Sequence, residues 1–333
     1  MNGARQHHPA TSGSTVVLVD DRLGDAVPAR AFPALRAASV VYADRGLAES
    51  TRRCLEALEP PHPGELLERA AREAVVLVAA EETSPPAAAL LEAGAAEIRA
   101  QSPTGVELLD AVTVMDRLRS PGGCPWDAEQ THESLRTYLV EETYELLDAL
   151  ERGDRAAMRE ELGDVLLQVL FHARVAAEDA EDPFDVDTVA TELVGKLVSR
   201  HPHVFAGDGT VHDAESQHAR WEELKQVEKR RESSVDGVAL GQPAVALAAK
   251  LAQRARRAGV PGELFPRGGD VGRELFRLAA EATEHGTDPE DALRAVARDF
   301  DERIRAAETD ARAAGLDPAA LSGQQWHEHW PRR

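Results

Sequence analysis

The stretch from Leu135 to Leu150 reads L-R-T-Y-L-V-E-E-T-Y-E-L-L-D-A-L, with apolar residues at helical spacing and neither Gly nor Pro, which predicts a helix. Glu151-Arg152-Gly153-Asp154 then supplies a breaker and an N-cap acid, and Arg155 to Ala177 resumes the helical period through Leu162, Val165, Leu166, Val169 and Leu170. The expectation is a helical hairpin folded about Gly153.

Glu145 lies eight residues before Gly153 and Glu161 eight after it, while Glu142 lies eleven before and Asp164 eleven after. In an antiparallel hairpin the four carboxylates therefore fall on two matched levels, roughly 12 and 16 Å from the turn at about 1.5 Å per residue. Each pair is spaced i,i+3 and shares a helix face. A cluster of acids among leucines and valines repels itself, and carboxylates are rarely buried unless paired or bound to a cation. A hard cation is the natural counter-charge, and an all-oxygen set selects Mg2+ or Mn2+ over iron or zinc. One alternative is a set of solvated surface acids, which the matched levels argue against. A di-iron bundle would add a His three residues after a Glu on two helices, where this chain has Glu145 and Asp164. Glu178, beyond the second helix, reads as an indifferent surface acid.

Further residues carry a family resemblance. Pro121-Gly122-Gly123-Cys124-Pro125-Trp126-Asp127, Gln130-Thr131-His132, Glu141-Glu142-x-x-Glu145, Glu160-Glu161-x-x-Asp164, Lys196-Leu197-Val198-x-Arg200-His201-Pro202-His203-Val204-Phe205 and Trp221-Glu222-x-x-Lys225 lie within a stretch of resemblance that covers residues 104–232. Together they resemble the MazG family of nucleoside triphosphate pyrophosphohydrolases. The resemblance implies metal ligation by Glu142, Glu145, Glu161 and Asp164, and cleavage of a nucleoside triphosphate to the monophosphate and pyrophosphate. It also implies a homodimer that completes a four-helix bundle, and removal of surplus or non-standard nucleotides.

For that chemistry Glu141 or Glu142 is the candidate to accept a proton from the attacking water, with the choice open. Lys196, Arg200, Lys225 and Lys229 are candidate phosphate partners. Lys196 and Arg200 share one face at i,i+4, while an ordinary surface ion pair competes as the role of Lys229. Trp126 offers a face for base stacking, although a buried tryptophan in a Pro-rich loop more often belongs to a core. His132 is expected to cap or line the pocket, and His172 to be structural. His132, His201 and His203 lack the spacing of a zinc site.

The chain has 333 residues, of which 43% are apolar and 4% aromatic, so an aliphatic, helix-packed interior is expected. A formal charge of −21 repels nucleic acid polymers and anionic membranes but not metal-neutralised free nucleotides. Cys54 and Cys124 have no paired spacing and suit a reducing cytoplasm. The apolar run Val16 to Val19 is too short for a signal peptide or a spanning helix.

Ahead of the acidic helices, Thr15 to Val19, Ser39 to Tyr42 and Val75 to Val78 read as buried strands, with a helix over Arg30 to Ala38. The opening resembles a tetrapyrrole methylase, which would place methyl transfer among the alternatives. The glycine-rich loop of such a site is replaced by Asp20-Asp21-Arg22-Leu23-Gly24-Asp25, so a scaffold domain is the favoured reading. Helices are also predicted over Phe184 to Val198, Gln217 to Arg231, Val245 to Ala258 and Asp288 to Ala314, with a shorter one around Leu275. The reading is a mainly α protein: a small α/β domain over 1–103, a MazG-type helical bundle over 104–232, and a degenerate second helical domain over 233–333. A non-catalytic helical module whose acidic face binds basic partners is the remaining rival.

Overall fold

Short β-branched runs flanked by polar residues become the interior of a parallel sheet. The computed structural model describes residues 13–206 and 232–332. Among these, strands β1 (Thr15–Leu18), β2 (Val40–Ala43), β3 (Val75–Ala79) and β4 (Ala96–Arg99) form one sheet in the order β2-β3-β1-β4. All pairings are parallel, with Thr15 opposite Val76 and Ala96, and Val40 opposite Val75. Such sheets are covered on both faces. One face packs Val16, Leu18, Tyr42 and Leu77 against α3 (Pro63–Ala70) and α4 (Pro85–Glu92), through Leu66, Ala70, Ala87 and Leu90. The other packs Val17, Ala43, Val76 and Val78 against Ala31 and Leu47, with Ala34 and Leu35 of α1 (Phe32–Ala37) beside them. A further short helix, α2, spans Glu49–Cys54. Strand β4 escaped the sequence reading because its Ala-Glu-Ile-Arg alternation suits an exposed edge, where charge discourages further pairing.

Helix α5 (Glu107–Arg119) leads into the short α6 (Pro125–Glu129), the long α7 (His132–Arg152) and α8 (Arg155–Ala176), and α9 (Val186–Arg200). Met115, Leu135, Leu170 and Phe171 form their shared core, with Val112, Leu166, Val175 and Val186 packed around it. The sheet and this core belong to one unit, Met1–Leu197. Arg22 ties them together with ion pairs to Glu107 at 2.8 Å and Asp110 at 3.0 Å.

The second unit, Val198–Arg333, begins inside α9. It contains α10 (Pro202–Phe205), α11 (Ala244–Arg257), α12 (Val271–Glu284), α13 (Pro289–Ala313) and α14 (Gly323–His329). Its helices approach through small residues: Ala249, Ala252, Ala279, Ala280, Ala307 and Ala311 are buried. Arg256 of α11 donates to Thr283 Oγ1 at 2.8 Å and pairs with Glu284 at 2.7 Å. The helix expected over Gln217 to Arg231, and with it Trp221, Lys225 and Lys229, lies outside the described residues. No described helix is long and apolar enough to cross a membrane.

The loop between α5 and α6 is held by backbone contact. The Cys124 N–H donates to Leu118 O at 2.8 Å, and a Cβ on Gly123 would lie 2.2 Å from that same oxygen and 2.4 Å from Arg117 O. Only glycine fits there. Gly123→Ala is expected to cost about 1–3 kcal/mol, the usual range for overpacking, read as a lower urea midpoint at unchanged slope.

Candidate metal centre

The hairpin is fixed at both ends by local chemistry. Thr131 caps α7 in a capping box, accepting from Ser134 N at 3.2 Å while Ser134 Oγ accepts from Thr131 N at 2.9 Å. Gly153 ends α7 in the left-handed region at φ 66°, and Asp154 caps α8 by accepting from Ala156 N at 3.0 Å and Ala157 N at 3.1 Å. With so short a turn the two helices run back to back, and equal counts from Gly153 become equal heights.

One ligand-capable oxygen from each of Glu142, Glu145 and Glu161 lies within 4.8 Å of the others. Asp164 is not in that trio, but its charge acts on both Glu142 and Glu161. Glu142, Glu161 and Asp164 are half-buried, and Glu145 and Glu141 are exposed. Burial raises the Glu142 carboxyl above its ordinary value, and the charges of Asp164, Glu145, Glu161 and Glu141 raise it further. Glu161 is likewise raised, first by burial and then by Glu145 and Asp164. Both groups thus resist ionisation in the protein alone. That strain is what a hard, oxygen-preferring cation relieves, so the donor set fits Mg2+.

Trp126, on α6, is not a core residue: it is 52% exposed. Its ring stands edge-on to Tyr138 at 6.1 Å and to Phe171 at 6.4 Å, because Pro125 opens a helix too short to bury its own residues. His132, the first residue of α7, stacks on His172 with centroids 5.1 Å apart and Nδ1 atoms 2.8 Å apart. One Nδ1–H must bridge the pair, and burial, then His132, holds His172 below its usual value. Lys196 is exposed on α9, and Arg200, at the end of that helix, is buried. His201 and His203 stand 5.7 Å apart, ring to ring.

Glu178 is not an indifferent acid. Its carboxylate takes a forked pair from Arg119, at 3.1 and 2.8 Å, and a third bond from Arg174 Nη1 at 2.8 Å. Arg119, then Arg174, holds it below the ordinary range. The sequence did carry a signal for Arg119: it continues the core stripe of Val112 and Met115 at helical spacing, which marks a charged residue facing inward.

At the carboxyl end of β1, Asp20 and Arg22 close on each other at 2.8 Å. Arg22, then Ser102, brings Asp20 down to about 2. A committed ion pair stands where a methyl-donor loop would need bare backbone.

Comparison with known proteins agrees with the motifs. Residues 130–205 match the MazG nucleotide pyrophosphohydrolase domain, and residues 14–98 match the MazG N-terminal domain. A nucleoside triphosphate pyrophosphohydrolase of Mycobacterium tuberculosis is 42% identical over 328 residues, 95% of this chain and 94% of that one. Its counterpart in Mycolicibacterium smegmatis is 42% identical over 332 residues, 95% of each chain. An uncharacterized 26.1 kDa protein of Streptomyces cacaoi is 55% identical over 205 residues, 61% of this chain and 84% of that one. With motif, hairpin and near full-length likeness in agreement, this chain belongs to the MazG family of nucleotide pyrophosphohydrolases.

Proposed function

We propose that the protein is a Mg2+-dependent nucleoside triphosphate pyrophosphohydrolase, in which Mn2+ can substitute, and that it clears surplus or non-standard nucleotides. The observation that carries this is the meeting of Glu142, Glu145 and Glu161 from two helices within 4.8 Å, where burial and the neighbouring acids raise two of them from their ordinary value. Those three and Asp164 are the proposed ligands. A divalent cation held there would neutralise charge on the phosphate oxygens and on the departing pyrophosphate.

The chain's own residues do the rest. Glu141 or Glu142 takes the proton of a water whose oxygen attacks the α-phosphorus; the bond from that phosphorus to the bridging oxygen breaks, and pyrophosphate departs with the electron pair. Lys196 and Arg200 are proposed to hold phosphate oxygens, with Lys225 and Lys229 as further partners. Trp126, half exposed on α6, offers its face to the base, and His132 lines the same end of the hairpin. Catalysis is assigned to 104–232, with 1–103 as scaffold and 233–333 as a degenerate helical repeat. Leu147, Leu150, Leu162, Leu167 and Val169 remain exposed on the hairpin, which supports a second copy completing the bundle.

Incubation with ATP, dCTP and a panel of modified triphosphates tests the reading. Equimolar monophosphate and pyrophosphate, dependent on Mg2+, is the expected product pattern. Release of inorganic phosphate, or no metal-dependent turnover on any triphosphate, would overturn it.

A further inference from the structure

Arg119 ends α5 with its side chain only 3% exposed, and its guanidinium is engaged on every side. Nε and Nη2 donate to the two oxygens of Glu178 at 3.1 and 2.8 Å. Nη1 donates to the carbonyls of Asp127 and Gln130, the latter at 3.2 Å. The cation also lies 5.6 Å from the centre of the Phe171 ring. Burying such a charge is costly unless partners meet it. Here they do, and the carbonyls chosen are informative.

Asp127 and Gln130 present the C-terminal carbonyls of α6, so Arg119 closes that helix at its negative end. α6 has five residues and buries none of them, so apart from the edge contacts of the Trp126 ring with Tyr138 and Phe171 little apolar packing places it. Its position depends on polar ties: Arg119 at the end, the Gln130 side chain donating to Trp126 O at 2.9 Å, and the close seat of Gly123. Phe171 meets both the guanidinium and the Trp126 ring. Glu178 reaches the same guanidinium from just beyond α8, the helix that carries Glu161 and Asp164.

We propose that Arg119, fixed by Glu178, is a positioning residue: it sets α6 relative to the acidic hairpin and so sets the Trp126 face that receives the nucleobase. The proposal rests on the base-side role of Trp126 given above. Arg119 touches no reacting group, so its loss acts on substrate affinity rather than on the chemical step.

Arg119→Lys keeps the charge and loses the fork, Glu178→Gln keeps the shape and loses the charge, and Trp126→Leu removes the stacking face. In folded full-length protein, Arg119→Lys should raise KM for a triphosphate about tenfold, well within the losses that misplaced contacts produce, with kcat and the Mg2+ requirement held within about twofold. Glu178→Gln should shift KM the same way by less. Trp126 emission, taken as the difference from the Trp126→Leu protein, should move to longer wavelength in both. Combining Arg119→Lys with Trp126→Leu should raise KM no further than Trp126→Leu alone, because the two act as one unit.

Unchanged KM and unchanged Trp126 emission in folded Arg119→Lys would overturn the proposal, as would full additivity in the double variant. If Arg119→Lys does not fold, Glu178→Gln and its combination with Trp126→Leu answer the same question. A wild-type KM in Trp126→Leu sinks the base-side role of Trp126 instead, and the emission shift then still decides whether Arg119 places α6.

Discussion

Glu161→Gln leaves the α7–α8 hairpin folded and lowers turnover on the order of 10²–10³-fold, the size seen when one preorganised electrostatic contact to a transition state is removed. The substitution is nearly isosteric, so helix packing is unaffected, while one charge leaves a group of three carboxylates that lie within 4.8 Å of one another. Glu142→Gln should fall as far or further, since Glu142 is both a proposed ligand and one of two candidate proton acceptors. Asp164→Asn separates two versions of the site. Its charge acts on Glu142 and Glu161 without its oxygen joining the trio, so a loss equal to that of Glu161→Gln makes it a ligand, and a loss nearer tenfold makes it a support. Glu68→Gln is the control, because Glu68 and Arg72 form a surface pair about three-quarters exposed, of the kind worth little. Initial rates at saturating Mg2+ check the series. Wild-type turnover in both Glu142→Gln and Glu161→Gln would end the case for a metal cage.

The hairpin was legible because two independent periodicities coincide there. The helical recurrence of leucines defines two helices, and Gly153-Asp154 joins them so tightly that counting outward gives spatial level. The buried strands were legible for a similar reason, since Thr15 to Leu18 and Val75 to Ala79 are β-branched runs too short for helices. Strand β4 was not, because an edge strand is defined by its neighbour and not by its own burial. Of the two readings of Trp126, a stacking face or a core residue in a Pro-rich loop, the core one does not hold, because the short α6 keeps the ring at the surface. Glu178 was misread because an acid's role depends on what faces it, and its partner Arg119 lies 59 residues away. Long-range charge pairing of this kind leaves no periodic trace. Arg119 itself did leave one, in its spacing from Met115.

The same clustered acids make stability depend on metal and pH together. Glu142 and Glu161 bind protons more tightly folded than unfolded, so folding stability from this pair is full below the ordinary carboxylate range and is lost as pH rises through the raised values. Other acids oppose this: Asp20, Asp25, Glu178, Asp179, Asp185 and Asp301 are lowered, and their stabilisation fades as pH falls. The whole-protein pH profile therefore mixes two signs, and only a difference isolates the cluster. In chelator, the Tm of Glu142→Gln minus that of the parent should grow as pH rises from 4 to 7, because the variant no longer carries the repulsion. Adding Mg2+ should reverse the order. A cation bound only by the folded parent stabilises it by about 2.7 kcal/mol at a hundred times the dissociation constant, several degrees for a unit of this size. The variant, short of a ligand, should gain much less. A parent Tm indifferent to Mg2+, or an equal rise in parent and variant, would place the cation elsewhere and leave the acids as a repulsion with no counter-charge.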